Sequence, residues 1–220
     1  MVKVLEIFSG TRSIGKVCDQ LGWESVSVDL IMEADHKCDI MDFDYKQYDK
    51  DYFDCVTASP PCTEYSKLQD CWLNRMRKGE LYTKEIQEKY MSDGDILIKK
   101  TLEIINYFNP TLWWIENPQS GRMKDRDIIR DIPFFDVDYC MYSNWGYRKR
   151  TRIWTNKKDW NNLMCNKKCG NMVGSLHKTN LGNADRFKRA NISNVKKFNG
   201  TSQTDRYRIP EDLIFSLFLD

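Results

Sequence analysis

The sequence predicts an α/β protein whose mostly parallel sheet is covered by helices on both faces. Three observations predict it. Short apolar runs recur and stop at Gly, Asp or Pro; a stretch with a 3.6-residue apolar period lies among them; and the residues best suited to chemistry fall where the runs end. In such sheets ligands gather at the carboxyl ends of the strands, so one cleft could contain Ser9-Gly10, Asp29, Pro61-Cys62 and Glu116-Asn117.

Each element has its own signal. VKVLEIF reads as a buried strand, and SGTRSIG after it as a turn opening a helix. SIGKVCDQLG has helical apolar spacing and closes at Gly22, a residue suited to the left-handed C-terminal position. ESVSVDL is a second strand, ending at Asp29. FDCVTASPP and TLWWIENPQ are two more, each stopped by proline. DILIKKTLEIINYF carries the amphipathic period of a helix lying on a sheet. Beyond residue 156 the pattern fades into NKKDWNNLMCNKKCGNMVGSLHKTNLGN, either a small irregular subdomain or a mobile stretch, before a helical RIPEDLIFSLFL. The expected organisation is a main domain over 1–156, an irregular basic segment over 157–208, and a helix over 209–220 packing back on the main domain.

A chain of 220 residues buries a real core without a disulfide scaffold. No apolar run approaches the roughly 20 residues of a membrane span, and the start MVKVLEIFSG lacks a basic stretch leading into a long apolar one. A soluble cytoplasmic protein with no membrane partner is expected, with its eight cysteines as free thiols, metal ligands or catalytic groups. The net charge of +2 hides an asymmetry: residues 1–60 hold 6 Lys/Arg against 12 Asp/Glu, and 178–208 hold 8 against 2. The basic run either attracts a polyanion or is a solvated face.

Gly10 lets the backbone approach a ligand, and Asp29, about twenty residues on, stands where a carboxylate accepts ribose hydroxyls. Arg12 occupies the second-glycine place of a dinucleotide fingerprint, which favours a nucleoside-type cofactor over a pyrophosphate. Cys62, behind two prolines at a strand end, is either a reactive thiol or a spectator; Cys18, Cys55 and Cys71 read as spectators. Glu116 is either a buried, proton-donating carboxyl in the cleft or a solvated strand end. Strand alternation points Arg150 and Arg152 the same way, toward a base carbonyl, a phosphate or Glu116, or onto a plain basic surface. Cys165 and Cys169 in CNKKC, with His177 and Cys140, invite a zinc reading, but their irregular spacing is no clear four-ligand pattern and no metal is assigned.

In this order the stretches resemble the C5-cytosine methyltransferase family: Phe8 and Gly10 in FSGTRSIG, Asp29 in VSVDL, Asp39 in CDIMD, Pro61-Cys62 in SPPC, Glu116-Asn117 in WIENP, and Arg150-Thr151-Arg152. The match spans about residues 2–156, and the compact length is similar to small phage and viral members. The resemblance implies a Rossmann-like S-adenosylmethionine-dependent fold. It also implies a cofactor site of Phe8, Ser9, Gly10, Thr11, Ser13, Asp29, Leu30, Asp39, Ile40 and Pro60. Cys62 would attack C6 of a cytosine in DNA, Glu116 would bind N3 and the exocyclic amine, and Arg152, supported by Arg150, would hold O2. A viral member would act in the host cytoplasm. Three departures stand out: Arg12 in place of a glycine, Thr63 in place of the Gln after Pro-Cys, and Arg148-Lys149 where a Gln block is expected. Little room is left for a target-recognition domain. The same chemistry on RNA or a free cytosine nucleotide, and a catalytically idle nucleic-acid-binding module, are the rival expectations.

Overall fold

The computed structural model describes residues 1–179 and 203–219. The elements in order are β1 (Lys3–Ile7), α1 (Ser13–Leu21), β2 (Glu24–Asp29), β3 (His36–Lys37), β4 (Cys55–Ala58), β5 (Arg75–Arg77), β6 (Glu80–Tyr82), α2 (Lys84–Phe108), β7 (Leu112–Pro118), β8 (Phe134–Asp138), β9 (Arg150–Thr155), β10 (Met172–Val173), β11 (Leu176–His177), α3 (Gln203–Tyr207) and α4 (Glu211–Leu219). Seven strands form one sheet in the order β3-β2-β1-β4-β7-β9-β8, with β5-β6 and β10-β11 as separate hairpins. The pairs β3-β2, β2-β1, β1-β4 and β4-β7 are parallel, whereas β9 runs antiparallel to both β7 and β8.

Alternation sorts the strand side chains between two apolar cores, one on each face. Leu5, Ile7, Val56, Ile115 and Trp154 meet Ile98, Ile104, Ile105 and Phe108 of α2. Val4, Cys55, Trp114 and Ile153 meet Ile14, Val17 and Cys18 of α1 and Leu213, Ile214 and Leu217 of α4. The sheet is therefore covered on both faces, as the sequence predicts. The C-terminal helix packs on α1, and Ile209 N–H reaches back to Ser13 Oγ at 3.1 Å.

The sequence reading starts the long helix at Asp95, and the structure extends it upstream to Lys84. Thr83 caps it, its Oγ1 accepting Ile86 N–H at 3.3 Å. The added turns are polar, and Gly94 within them looks like a breaker. Its bareness has a packing cause, since a Cβ there would sit 2.8 Å from the Tyr65 hydroxyl oxygen. β8, short and directly behind Pro133, also escaped the sequence reading. The basic run expected over 178–208 lies largely outside the described residues. Among the described residues no helix is long and apolar enough to cross a membrane.

Candidate active site

Adjacent parallel strands bring the two chemical motifs together. Ala58 at the end of β4 pairs with Ile115 of β7, so the chain leaving through Pro60-Pro61-Cys62 passes beside Glu116-Asn117. The buried Asn117 amide ties the two together, its Nδ2 donating to the Pro60 carbonyl at 2.9 Å. Past Cys62 the loop is anchored as well. Gln69 Nε2 donates to the Thr63 carbonyl at 2.9 Å, Arg122 N–H to the Tyr65 carbonyl at 2.8 Å, and Tyr65 Oη to Asp95 at 2.9 Å. Thr63, in place of the expected Gln, thus contributes a backbone carbonyl to the anchoring. Ser66 Oγ accepts Leu68 N–H at 3.2 Å and caps the turn that follows.

Glu116 is buried, and its Oε1 accepts from Tyr139 Oη at 2.9 Å and from Lys149 Nζ at 3.1 Å. Lys149 Nζ also donates to the Arg206 carbonyl of α3 at 3.2 Å, so the returning C-terminal segment borders the site. Burial pushes the Cys62 thiol above its ordinary value; the negative charge of Glu116 pushes it further, and Lys149 and Arg206 pull it back. Tyr139 is raised by burial and then by Glu116, which keeps its hydroxyl a proton donor.

Arg150 and Arg152 do share one side of β9, as strand alternation requires, but they do not join this cluster. Glu116 pairs with Ile153 across the sheet, so Lys149, Thr151 and Ile153 point to its side and the two arginines to the other. Arg150 Nε and Nη2 grip Asp138 at 3.0 and 2.8 Å; Arg152 Nε and Nη2 grip Asp136 at 2.7 and 2.9 Å. The cation beside Glu116 is Lys149.

The other half of the cleft is built on the ends of β1 and β2. Phe8 and Gly10 both take positive φ, 57° and 49°, and fold the backbone over the strand ends. Gly10 N–H donates to Asp29 Oδ2 at 2.9 Å, while Asp29 Oδ1 accepts Ile31 and Met32 N–H, both at 2.8 Å. Asp39 Oδ1 accepts Met41 N–H at 2.9 Å. Leu30 is exposed and Ile40 is a core residue. Pro60 is buried and gives its carbonyl to Asn117. Thr11 Oγ1 meets Ser13 Oγ at 3.1 Å. Ser13, expected at the cofactor, also accepts the Ile209 amide and so helps to dock the C-terminal segment.

No family model matches the chain. A curated "Probable DNA (cytosine-5)-methyltransferase" of Frog virus 3 (isolate Goorha) is 37% identical over 220 residues, 98% of each chain. The chain belongs to the C5-cytosine methyltransferase family. Among solved structures, an Entamoeba histolytica methyltransferase aligns at 15% identity and TM-score 0.49, covering 75% of this chain and 56% of its own. A Dnmt2 methyltransferase of S. pombe aligns at 15% identity and TM-score 0.41, covering 73% and 51%. The chain thus spans little more than half the length of these two.

Membership in the C5-cytosine methyltransferase family implies S-adenosylmethionine as methyl donor, and the residues present fit it. Ser9 Oγ is buried at the Phe8–Gly10 turn with no partner among the described residues, a polar atom left for a ligand. Asp29 spends three of its roughly four acceptor sites on backbone amides, leaving capacity for a ribose hydroxyl. Arg12, the departure from the family's glycine, adopts the glycine-like φ of 54° and folds its guanidinium back over α1, where a Cβ on Gly15 would meet Nη2 at 2.9 Å. Sequence reasoning missed Lys149 and Tyr139 as partners of Glu116. It also missed Glu6, whose buried carboxylate accepts Ile14 and Gly15 N–H at 3.1 and 3.0 Å and caps α1. An acid inside the apolar run VLEIF was the available signal for Glu6. No comparable signal marks Lys149, because the side it takes follows only from the pairing of Glu116 with Ile153.

Proposed function

We propose that this chain methylates C5 of cytosine in DNA through a covalent bond between Cys62 and C6 of the base. The observation that carries the reading is the convergence of Cys62 with the Glu116–Lys149–Tyr139 cluster at neighbouring strand ends. Cys62 gives up its proton and its sulfur attacks C6. Electron density then flows toward N3, which is neutralised by a proton passed from the Lys149 ammonium by way of the Glu116 carboxylate and returned when the ring is restored. Bound S-adenosylmethionine supplies the methyl group to the activated C5. Loss of the C5 proton and expulsion of Cys62 restore the aromatic ring, so the net release is one proton. Asn117 holds the Pro60 carbonyl, and with it the loop that presents the thiol. A duplex base must leave the stack to reach such a pocket. The basic run over 178–208 would supply phosphate contacts by counterion release. Arg150 and Arg152, neutralised by Asp138 and Asp136, take a supporting role in this scheme.

The test is trapping. With S-adenosylmethionine and duplex DNA containing 5-fluorocytosine, a covalent adduct is expected from the native chain and none from Cys62→Ala. Parallel arms with RNA and with a cytosine nucleotide separate the substrates. An adduct confined to either would overturn the DNA assignment, and no adduct in any arm would overturn the mechanism.

A further inference from the structure

We propose that Cys140, Cys165, Cys169 and His177 bind one zinc ion that fastens the segment after β9 to the seven-stranded sheet. Their four donor atoms all lie within 4.8 Å of one another. The Cys165 and Cys169 sulfurs are 3.6 Å apart, and His177 Nε2 stands 3.5 Å from the first and 3.4 Å from the second. The Cys140 sulfur lies within 4.8 Å of both other sulfurs and of the imidazole nitrogen. Zinc bonds of about 2.3 Å to sulfur and about 2.0–2.1 Å to nitrogen place tetrahedral ligands roughly 3.8 Å (S to S) and roughly 3.6 Å (S to N) apart. The three edges among Cys165, Cys169 and His177 agree with these to a few tenths of an ångström, and Cys140 Sγ completes the set within 4.8 Å of the others. The distances do not agree with a disulfide, which needs about 2.05 Å between sulfurs, and all eight cysteines are free.

Three thiols and one imidazole form a soft, closed donor set, the kind that selects a structural zinc over oxygen-seeking cations. The backbone around the sulfurs is shaped to match. Lys167 takes a φ of +67° and aims its N–H at Cys165 Sγ, 3.3 Å away, a bond that favours the thiolate form. The β10-β11 hairpin, turning at Gly174 with φ +57°, returns His177 to the two cysteines of CNKKC. Cys140 comes from the single turn between β8 and β9, so the four ligands join parts of the chain that are distant in sequence. This is why spacing alone shows no four-ligand pattern.

The segment needs such a fastener. Between residues 157 and 179 the only regular structure is a hairpin of two-residue strands, and the buried side-chain amide of Asn171 is one of the polar contacts that hold it. Asn171 accepts Gly146 N–H at 3.0 Å and donates to the Cys140 and Ser143 carbonyls at 2.9 and 2.7 Å. The segment's apolar burial is confined to Trp160 and Leu163 on the α1/α4 core, so a metal would add a cross-link where the CNKKC stretch and the hairpin have little core of their own. The ion would also act at one remove on the sheet. Cys165 N–H donates to Asp138 Oδ2 at 2.8 Å, the same carboxylate that grips Arg150.

The full chain, purified under reducing conditions without chelator or added metal, is expected to carry one zinc per molecule by elemental mass spectrometry. Less than about a tenth of an equivalent, with no uptake of zinc chloride in competition with a chromophoric chelator, overturns the proposal. Cys169→Ser and His177→Ala are expected to lose the metal, and Cys71→Ser, an exposed thiol outside the cluster, to keep it. A full equivalent in both ligand variants, or its loss from Cys71→Ser, likewise overturns it. Cobalt(II) added to the zinc-stripped native chain removes any dependence on how the variants fold. The bands of a tetrahedral thiolate site, saturating at one equivalent, are expected; an octahedral spectrum overturns the assignment.

Discussion

Lys149 places its ammonium 3.1 Å from Glu116 Oε1, while Arg150 and Arg152 on either side of Thr151 turn away to Asp138 and Asp136. Both partners of the Lys149–Glu116 pair are nearly withdrawn from solvent, with side chains 11% and 7% exposed. Removing one charge from such a pair leaves the other uncompensated, a cost of about 3–5 kcal/mol. The same lysine opposes the rise of the Cys62 thiol that burial and Glu116 cause. Methyl transfer is therefore expected to climb with pH as the thiolate forms, and Lys149→Met should displace that limb to higher pH. Lys149→Arg, which keeps the charge, should restore it. Superimposable pH–rate profiles for the native chain and Lys149→Met would remove Lys149 from the mechanism.

In the proposed mechanism Asn117 acts through the Pro60 carbonyl, to which its Nδ2 donates at 2.9 Å. Asn117→Ala leaves that buried carbonyl without its donor, a loss of about 1–3 kcal/mol. The thiol would then be presented from a looser loop, so kcat should fall further than KM rises, and adduct formation with 5-fluorocytosine DNA should slow. Trapping at the native rate would show that the Pro60 bond does not position Cys62.

The strand ends were legible because short apolar runs and prolines mark them locally, and the ordered motifs at those ends placed Cys62 and Glu116 on neighbouring strands. What the sequence left hidden depends on contacts between distant residues. Arg12 sits in a left-handed conformation that its residue type does not announce. Gly94 interrupts no helix because Tyr65 fills the space beside it. Arg150 and Arg152 looked catalytic by motif, and only the pairing of Glu116 with Ile153 shows which side of β9 each residue takes. The convergence of Cys140 with Cys165, Cys169 and His177 likewise exists only after β8, β9 and the hairpin are in place.

Glu6 links the active-site turn to stability. Burial raises its carboxyl from 4.5 to about 7, against the two amide bonds from α1 that favour its charge. A group with a raised folded pKa binds more protons folded than unfolded, so its contribution is present below the unfolded value and fades as pH rises through the folded one. The shift amounts to about 3 kcal/mol over that window, as an upper bound. Native stability should thus fall between about pH 4.5 and 7 from this group, and Glu6→Gln, which cannot titrate, should flatten that slope. Denaturant midpoints measured across the window test it; equal slopes for both chains would show that Glu6 does not titrate there.

Asp138 is the most consequential carboxylate outside the reacting cluster. It is fully buried and accepts from Arg150 Nε, Arg150 Nη2 and Cys165 N–H at 3.0, 2.8 and 2.8 Å, whereas Asp136 holds Arg152 alone from a partly exposed position. Asp138→Ala should therefore destabilise by about 3 kcal/mol, toward the lower end for a buried pair because Arg150 retains access to water. For a chain of this size that lowers the melting temperature by about 6–12 °C. Asp136→Ala should cost less, because Asp136 keeps 21% of its side chain in water and holds no third donor. The two differ in where the damage appears: only Asp138→Ala frees the Cys165 amide, so only it should open the 157–179 segment to limited proteolysis. Equal protease sensitivity in the two variants would separate Asp138 from the anchoring of that segment.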